Sequence, residues 1–552
     1  MSNSQTYSIQ GQSIPTPDNL TVEAFLPGRD TPGNVGVCFS GGGTFALVSA
    51  LGQMRALRHL GYLGKSRAIS SVSGGSWATV PFTFLPDDIA DDDFLGGFVE
   101  DPGELTLNPF ASNKAAILEY LTPNNLGQVP ASSSMSATYM VATALGLEVA
   151  GCPADRLWTH IIGTNVLSRF KLASFQDYLP QAFFAYDDAH AQAILAANPG
   201  LTRQYHTYHS RAGDTSRPFH ICNTAEFIKT NPNNSYPDGA TLLAPVQATA
   251  FFAGTWGSDL GADASGQQVG GGALPAFALN SSLSSRDGDS FHGEQDAPLA
   301  LSDITGMSSA FYASSLAEQE PKLGALDPKY TCWPPQAAAP AGSLNRFADG
   351  GGVEDNGVAS ALAFTDIDKL VVFINTPSGP ISQLAGHVVI DPWMPTLYGY
   401  RQLTKENAAG GYVLFADSHP TASDADRFYQ HNQVFDSARF AEARDGLWAN
   451  SGSGSHEQPA VFLQTGVAVV DNPWFGVKAN GRKVDILWVK TNPVNAWRDQ
   501  LPESVKLLTT KTFPDFSLFS THLSTINTNL FAHLTSWITA QQSAHLAALF
   551  QG

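Results

Sequence analysis

Residues 34–77, NVGVCFSGGGTFALVSALGQMRALRHLGYLGKSRAISSVSGGSW, decide the fold. Val35, Val37 and Phe39 make a short apolar strand that runs into the glycines Gly41–Gly43. From about Thr44 the period changes, and Leu47, Ala50, Leu51, Met54 and Leu57 fall on one helical face. Gly61 after Leu60 suits a left-handed helix cap, with Tyr62 as its apolar follower. A second apolar run, Ala68–Val72, then arrives at Ser73. Strand, glycine loop, helix, strand and turn make a βαβ unit, which implies a parallel sheet flanked by helices.

Outward from this unit the chain organises as follows. Residues 1–33 are rich in Pro, Gly, Ser and Thr and read as an irregular lead-in. The length suits two to four domains or one large core with insertions, and residues 34–552 read as one domain. A mostly helical insertion near 84–210, with SATYMVATALGLEV as its clearest helix, reads as a cap. RPFHICNTAEF at 217–227 resembles a central strand, and KLVVFINT at 369–376 a strand buried on both faces. The Gly/Ser/Asp-rich stretch 257–297 is expected to form flexible loops, a candidate lid. The tail NTNLFAHLTSWITAQQSAHLAALF reads as an amphipathic helix packed on the core.

Composition narrows the classes. Charged residues are 14% and apolar residues 43% of 552, so a large buried core is expected. A net charge of −19 disfavours nucleic acid and anionic membrane surfaces as partners. Cys38, Cys152, Cys222 and Cys332 stand far apart, so no metal or redox motif arises. Sparse cysteine, no visible signal peptide and no long uncharged apolar run lead to the expectation of a cytoplasmic protein without cofactor or metal. No sequence feature sets an oligomeric state.

The glycine run has three functional readings. Gly41, Gly43 and Ala46 satisfy the dinucleotide pattern G-x-G-x-x-A, but the acid needed roughly 20 positions on is missing, since no Asp or Glu occurs from Thr31 to Pro86. A P-loop fails because no Lys followed by Ser or Thr closes the run. The third reading is an anion site for a transient charge, with amides at a helix N-terminus facing an oxyanion. A tight packing turn remains the plain alternative.

Ser73 sits in S-V-S-G-G, close to the nucleophile-elbow pattern G-x-S-x-G, with Ser71 in place of the first glycine. Gly74 can offer its amide beside the serine, and Ser73 follows the glycine run by only 30 residues. Both sites would lie at the C-terminal ends of neighbouring parallel strands. A serine needs an activator. Histidines such as His292, His387, His419 and His431 lie downstream, but none stands in a distinguishing pattern. Asp349 in NRFADGGGVEDNGV is the stronger candidate, an acid between a short strand and three glycines; an Asp-Gly turn is the plain alternative. Glu354 and Asp355 read as loop-surface charges.

SGGGTFA, SVSGGSW and ADGGGVEDNG, in this order, resemble the three signatures of the cytosolic phospholipase A2 and fungal phospholipase B group, relatives of the patatins. The resemblance spans roughly Asn34 to the C-terminus, including TFPDFS at 512–517. It implies a three-layer α/β fold with a central, mostly parallel sheet, helices on both faces and a cap or lid insertion. It implies a Ser–Asp dyad without histidine: Ser73 as nucleophile, Asp349 as base, and Gly42, Gly43 and Gly74 as the oxyanion hole. Trp77 stands where the family often has Trp, and Phe45 follows the glycine run where a phosphate-contacting Arg is usual. Phe45 and Trp77 are therefore expected at the substrate, and Phe45 suits a less charged one. Pro81 is expected to shorten or kink the elbow helix. Calcium-driven membrane docking is not expected.

The function so implied is lipid acyl-ester hydrolysis of the phospholipase or lysophospholipase kind, with a lipid substrate and a transient membrane or micelle interface. An acyltransferase or neutral-lipid esterase on the same dyad, a Ser-His-Asp hydrolase and an inactive lipid-binding or storage protein are the alternatives.

Overall fold

The computed structural model describes residues 6–28, 33–201, 206–209, 217–229, 241–258, 260–263, 265–313, 326–418, 420–421 and 424–551. Parts of the lead-in (1–5 and 29–32), of the 84–210 insertion (202–205 and 210), residues 259 and 264, and His419 lie outside this set.

The opening unit forms strand β1 (Val35–Phe39), helix α1 (Gly43–His59), strand β2 (Ala68–Val72) and helix α2 (Gly74–Thr83). Gly61 takes φ 77°, as its capping position requires. Pro81 does not end α2 early: the helix runs two residues further, to Thr83. The sheet continues with β3 (Phe219–Lys229), β4 (Thr241–Ala248), β5 (Phe252–Thr255), β6 (Gly272–Pro275), β7 (Ser343–Asp349), β8 (Lys369–Ile374), β9 (Ala460–Ala468) and β10 (Lys483–Lys490). Its central order is β3-β2-β1-β8-β10, and all four of these pairings are parallel. Antiparallel wings extend it, β4, β5 and β6 beyond β3 and β9 beyond β10.

The strand periodicity splits the core in two. Val37, Phe39, Val371, Phe373, Leu487 and Val489 face a cluster that includes α1, α2 and the C-terminal helices. Their strand neighbours Cys38, Leu370, Val372, Ile374, Ile486 and Trp488 face the opposite cluster. The fold is thus three-layered α/β, with the strands buried on both sides, as their unbroken apolar runs require.

Residues 84–201 carry short helices, among them α3 (Ala137–Val149), N-capped where Ser136 Oγ accepts from Tyr139 N–H at 3.3 Å. Two expectations of irregularity fail. Tyr7–Gln12 of the lead-in is a strand, and the 257–297 stretch contains a hairpin, Ser282–Asp287 with Ser290–Gln295, that pairs with it. Alternate residues of SFHGEQ are buried, a period-2 signal masked by a Gly/Ser/Asp-rich composition. The C-terminal tail is two helices, α5 (Thr525–Ala540) and α6 (Ser543–Gln551), and most of α5 is buried on α1. Among the described residues no helix is long and apolar enough to cross a membrane. All four cysteines are buried free thiols.

Candidate active site

Strand β3 sets the geometry. At Val72, the last residue of β2, the partner is Asn223, and at Asp349, the last residue of β7, it is Thr224. Strand β2 runs parallel to β3 and β7 antiparallel, so the two strands meet head-on along one edge. Their C-terminal ends deliver Ser73 and Asp349 to the same point. Ser73 Oγ donates to Asp349 Oδ2 at 2.9 Å.

Ser73 holds φ 48° and ψ −120°, a sparsely populated region for a non-glycine residue. Two contacts stabilise this turn. The Ser76 amide donates to the Ser73 carbonyl at 2.9 Å, starting α2. The Ser73 amide donates at 2.9 Å to the hydroxyl of Ser308, the last residue of helix α4 (Leu301–Ser308). A chain of hydroxyls leads away from Ser308 through Ser76 (3.0 Å) and Ser71 (3.0 Å) to His220 Nε2 (3.1 Å). Burial lowers the His220 imidazole to about 3, so it is neutral and acts here as a hydrogen-bonding member of the core.

Asp349 is buried. Besides Ser73 it accepts from Gly351 N–H at 2.8 Å and Phe311 N–H at 3.3 Å. Burial raises its carboxyl to about 6, while these three donors favour the ionised form and oppose the shift. It is therefore ionised at neutral pH yet basic enough to accept a proton.

The helix N-termini of α1 and α2 converge beside Ser73. Gly43 and Gly74 are their first residues, where amides have no intrahelical acceptor. A Cβ on Gly74 would lie 2.6 Å from the Gly43 nitrogen and 2.0 Å from its oxygen, so only glycine permits the approach. Gly43 has φ 58°, and a Cβ there would lie 1.9 Å from Tyr312 Oη, itself anchored by donating to the Leu518 carbonyl at 2.6 Å.

A cavity of about 400 Å³ opens over the pair. Gly42, Ser73 and Asp349 line it, with apolar surface from Phe311, Tyr312 and Leu518. The two residues expected at the substrate are placed elsewhere. Phe45 packs edge-on against Phe531 of α5 at 4.7 Å, and the neighbouring Thr44 donates to the Thr521 carbonyl at 2.7 Å. Trp77 is fully buried and stacks on Tyr312 at 5.7 Å. Neither lines the cavity. Both positions fall on the core-facing side of a helix that packs under the site.

Glu354 and Asp355 also depart from the expected surface placement; both are buried. A 3₁₀ turn at Gly350–Gly352 folds the chain back, so that the Asp355 carbonyl accepts from the Gly41 amide at 2.9 Å. Glu354 accepts from the amides of Asn356 and Ala359 at 2.6 and 3.1 Å. Sequence reading missed these two, and it missed Ser308. The available cue for the acids was their place in an apolar, glycine-rich run of a weakly charged chain; Ser308 stands in no distinguishing pattern. Among the described residues no three His, Cys, Asp or Glu side chains form a metal-ligand set.

No protein-family model matches the chain, and no curated protein matches it by sequence. Its backbone is similar to solved structures of human GIVD cytosolic phospholipase A2. One match has a TM-score of 0.46 at 12% identity over 96% of this chain and 62% of that one. A second, the same human protein in complex with methyl gamma-linolenyl fluorophosphonate, has a TM-score of 0.43 at 13% identity, over 96% of this chain and 61% of that one. The chain thus spans about three-fifths of the length of the structures it matches.

Proposed function

We propose that this protein hydrolyses lipid acyl esters through a Ser73–Asp349 dyad and an acyl-enzyme intermediate. The observation that carries the reading is the 2.9 Å bond from Ser73 Oγ to Asp349 Oδ2, made by a strained serine at the floor of a largely apolar cavity. Backbone strain at such a turn persists only where the surroundings over-determine it, which is the pattern of activated nucleophiles.

In the first half-reaction Asp349 takes the Ser73 proton as Oγ attacks the ester carbonyl. The negative charge that develops on the carbonyl oxygen is met by amides at Gly42, Gly43 and Gly74, aided by the positive ends of α1 and α2. Collapse expels the alcohol, which leaves with the proton held by Asp349. In the second half, Asp349 takes a proton from water, the hydroxide attacks the acyl-serine, and the released serine oxygen recovers the proton. A carboxyl near 6 suits both directions of transfer close to neutral pH. The hydrogen bond of Ser73 Oγ to a carboxylate, rather than to an imidazole, favours the dyad over a Ser-His-Asp arrangement.

The test is direct. A fluorophosphonate should label Ser73 in the wild-type chain, and Ser73→Ala should abolish both labelling and esterase turnover. Asp349→Asn, which keeps the shape and removes the base, should lower kcat by about 10³-fold or more. Full turnover in Asp349→Asn, with the variant folded, sinks the dyad.

A further inference from the structure

The cavity over the dyad holds a second carboxyl that the mechanism above leaves unused. Asp355 lines it, is only 5% exposed, and receives no hydrogen bond to its carboxyl from the described residues. It stands close to the reacting groups. A Cβ built on Gly351 would lie 2.4 Å from Asp355 Oδ1 and 3.1 Å from Asp349 Oδ1. One built on Gly41 would lie 2.2 Å from Asp355 Oδ1 and 3.1 Å from Ser73 Cβ. Two glycines thus keep the space between Asp355 and the dyad free of side chains.

Burial, together with Asp349, Asp391 and Glu354, pushes the Asp355 carboxyl well above the usual carboxylate range, and Lys490 only partly opposes this. Its protonated form, with an O–H donor and a C=O acceptor, is thereby favoured. Its carboxyl opens on the cavity, where a bound molecule with matching groups would hydrogen-bond it. A hydroxyl, itself donor and acceptor, is the matching group.

The remaining lining agrees with an uncharged ligand. Asp327 and Asp349 are its other ionisable carboxyls, and no Lys, Arg or His is among its described lining residues. Two cations stand behind the lining: Lys490 donates to the Thr376 carbonyl at 2.8 Å and to Thr376 Oγ1 at 3.4 Å, and Arg346 is paired with Asp327 at 3.2 Å, so among the described residues the carboxylate left without a cation partner is Asp349. An anionic headgroup would enter beside carboxylates in a water-poor space. Trp393 and Tyr429 add aromatic surface of the kind that packs on the C–H faces of polyols.

We infer that the cavity selects esters whose alcohol portion is uncharged and carries a free hydroxyl, with Asp355 hydrogen-bonding that hydroxyl, and that it rejects anionic headgroups. The inference rests on the acyl-ester hydrolase reading.

Three esters of one acyl chain test it: 1-octanoylglycerol, propyl octanoate and 1-octanoylglycerol 3-phosphate. The wild-type kcat/KM for the glycerol ester should exceed that for the propyl ester by about tenfold or more. It should exceed that for the glycerophosphate ester by about 100-fold or more. Asp355→Asn keeps a donor and an acceptor, and should hold the glycerol-to-propyl ratio within about threefold of wild type. Asp355→Val should bring that ratio to about one. If Asp355→Val fails to fold, the wild-type ratios and Asp355→Asn decide alone. Equal turnover of the glycerol and propyl esters, preference for the glycerophosphate, or an unchanged ratio in Asp355→Val overturns the inference while Ser73 labelling leaves the hydrolase reading standing. No turnover of any ester together with no fluorophosphonate label on Ser73 overturns the hydrolase reading, and this inference with it.

Discussion

The serine side of the site is built from one contiguous stretch, residues 34–83, in which β1, α1, β2 and α2 follow one another and pack as neighbours. The acid side is assembled across the chain. Strand β7 reaches Asp349 only by pairing with β3, and the turn after it is held by the Gly41 amide. The strands and helices of the first side are neighbours in sequence, with its serine turn held from a distance by Ser308, whereas the second needs the sheet in place even to bring its strand to the site. Serine-side lesions should therefore act on the geometry of attack, and acid-side lesions on proton chemistry and on stability as a function of pH.

The largest effect that separates the two sides is expected at Gly43. Gly43→Ala puts a Cβ at φ 58° and 1.9 Å from Tyr312 Oη. It should lower kcat/KM by about 100-fold or more by displacing an amide proposed to face the oxyanion. Stability should fall by about 2 kcal/mol or more from strain and overpacking. Steady-state kinetics with denaturant unfolding measures both, and near-wild-type turnover would remove Gly43 from the oxyanion hole.

A smaller effect sharpens the serine side. Ser308→Ala leaves the buried Ser73 amide unpaired, at a cost of about 1–3 kcal/mol, and loosens the turn. Here kcat should drop by about tenfold with KM close to wild type, and Ser308→Thr should recover most of it. Lost stability with kcat intact would make Ser308 a purely structural support.

The acid side is read by pH. With Asp349 near 6, log kcat/KM should rise with slope one up to about pH 6 and then level off. Its stability consequence has a definite sign. The folded carboxyl lies above its ordinary value, so the folded chain holds this proton more tightly than the unfolded chain. That favourable contribution is present at low pH and is lost as pH rises through about 6. Asp349→Asn escapes the loss. Relative to wild type it should gain stability between pH 5 and pH 8, on the order of 1–2 kcal/mol, while losing activity. Denaturant unfolding at the two pH values checks this, and a wild-type advantage that grows with pH would contradict the assignment.

These contrasts match what could be read from the residues. The βαβ unit was legible because its strands are unbroken apolar runs and its helix repeats at 3.6, both local signals. Ser73 and Asp349 stood out because each ends a strand beside glycines. The hairpin at 282–295 was hidden because its polar face dominates the composition. Phe45 and Trp77 were expected beside the substrate because of the positions they hold in the family resemblance, yet one residue of helical rotation turns a side chain from cavity to core. Glu354 and Asp355 looked like surface charges because charge normally seeks water. Only the fold-back at Gly350–Gly352 carries them under Gly41, where burial changes their protonation.

The amino-acid sequence by itself determined the parallel centre of the sheet, the glycine loop, the elbow serine and a candidate base, because these depend on short-range periodicity and backbone permissiveness. The tertiary structure alone decided that β2 and β7 meet end to end on β3, that Ser308 holds the Ser73 amide, and that Asp355 faces the cavity. Those facts come from strand register and burial, which join residues hundreds of positions apart and set the dielectric in which their protons move.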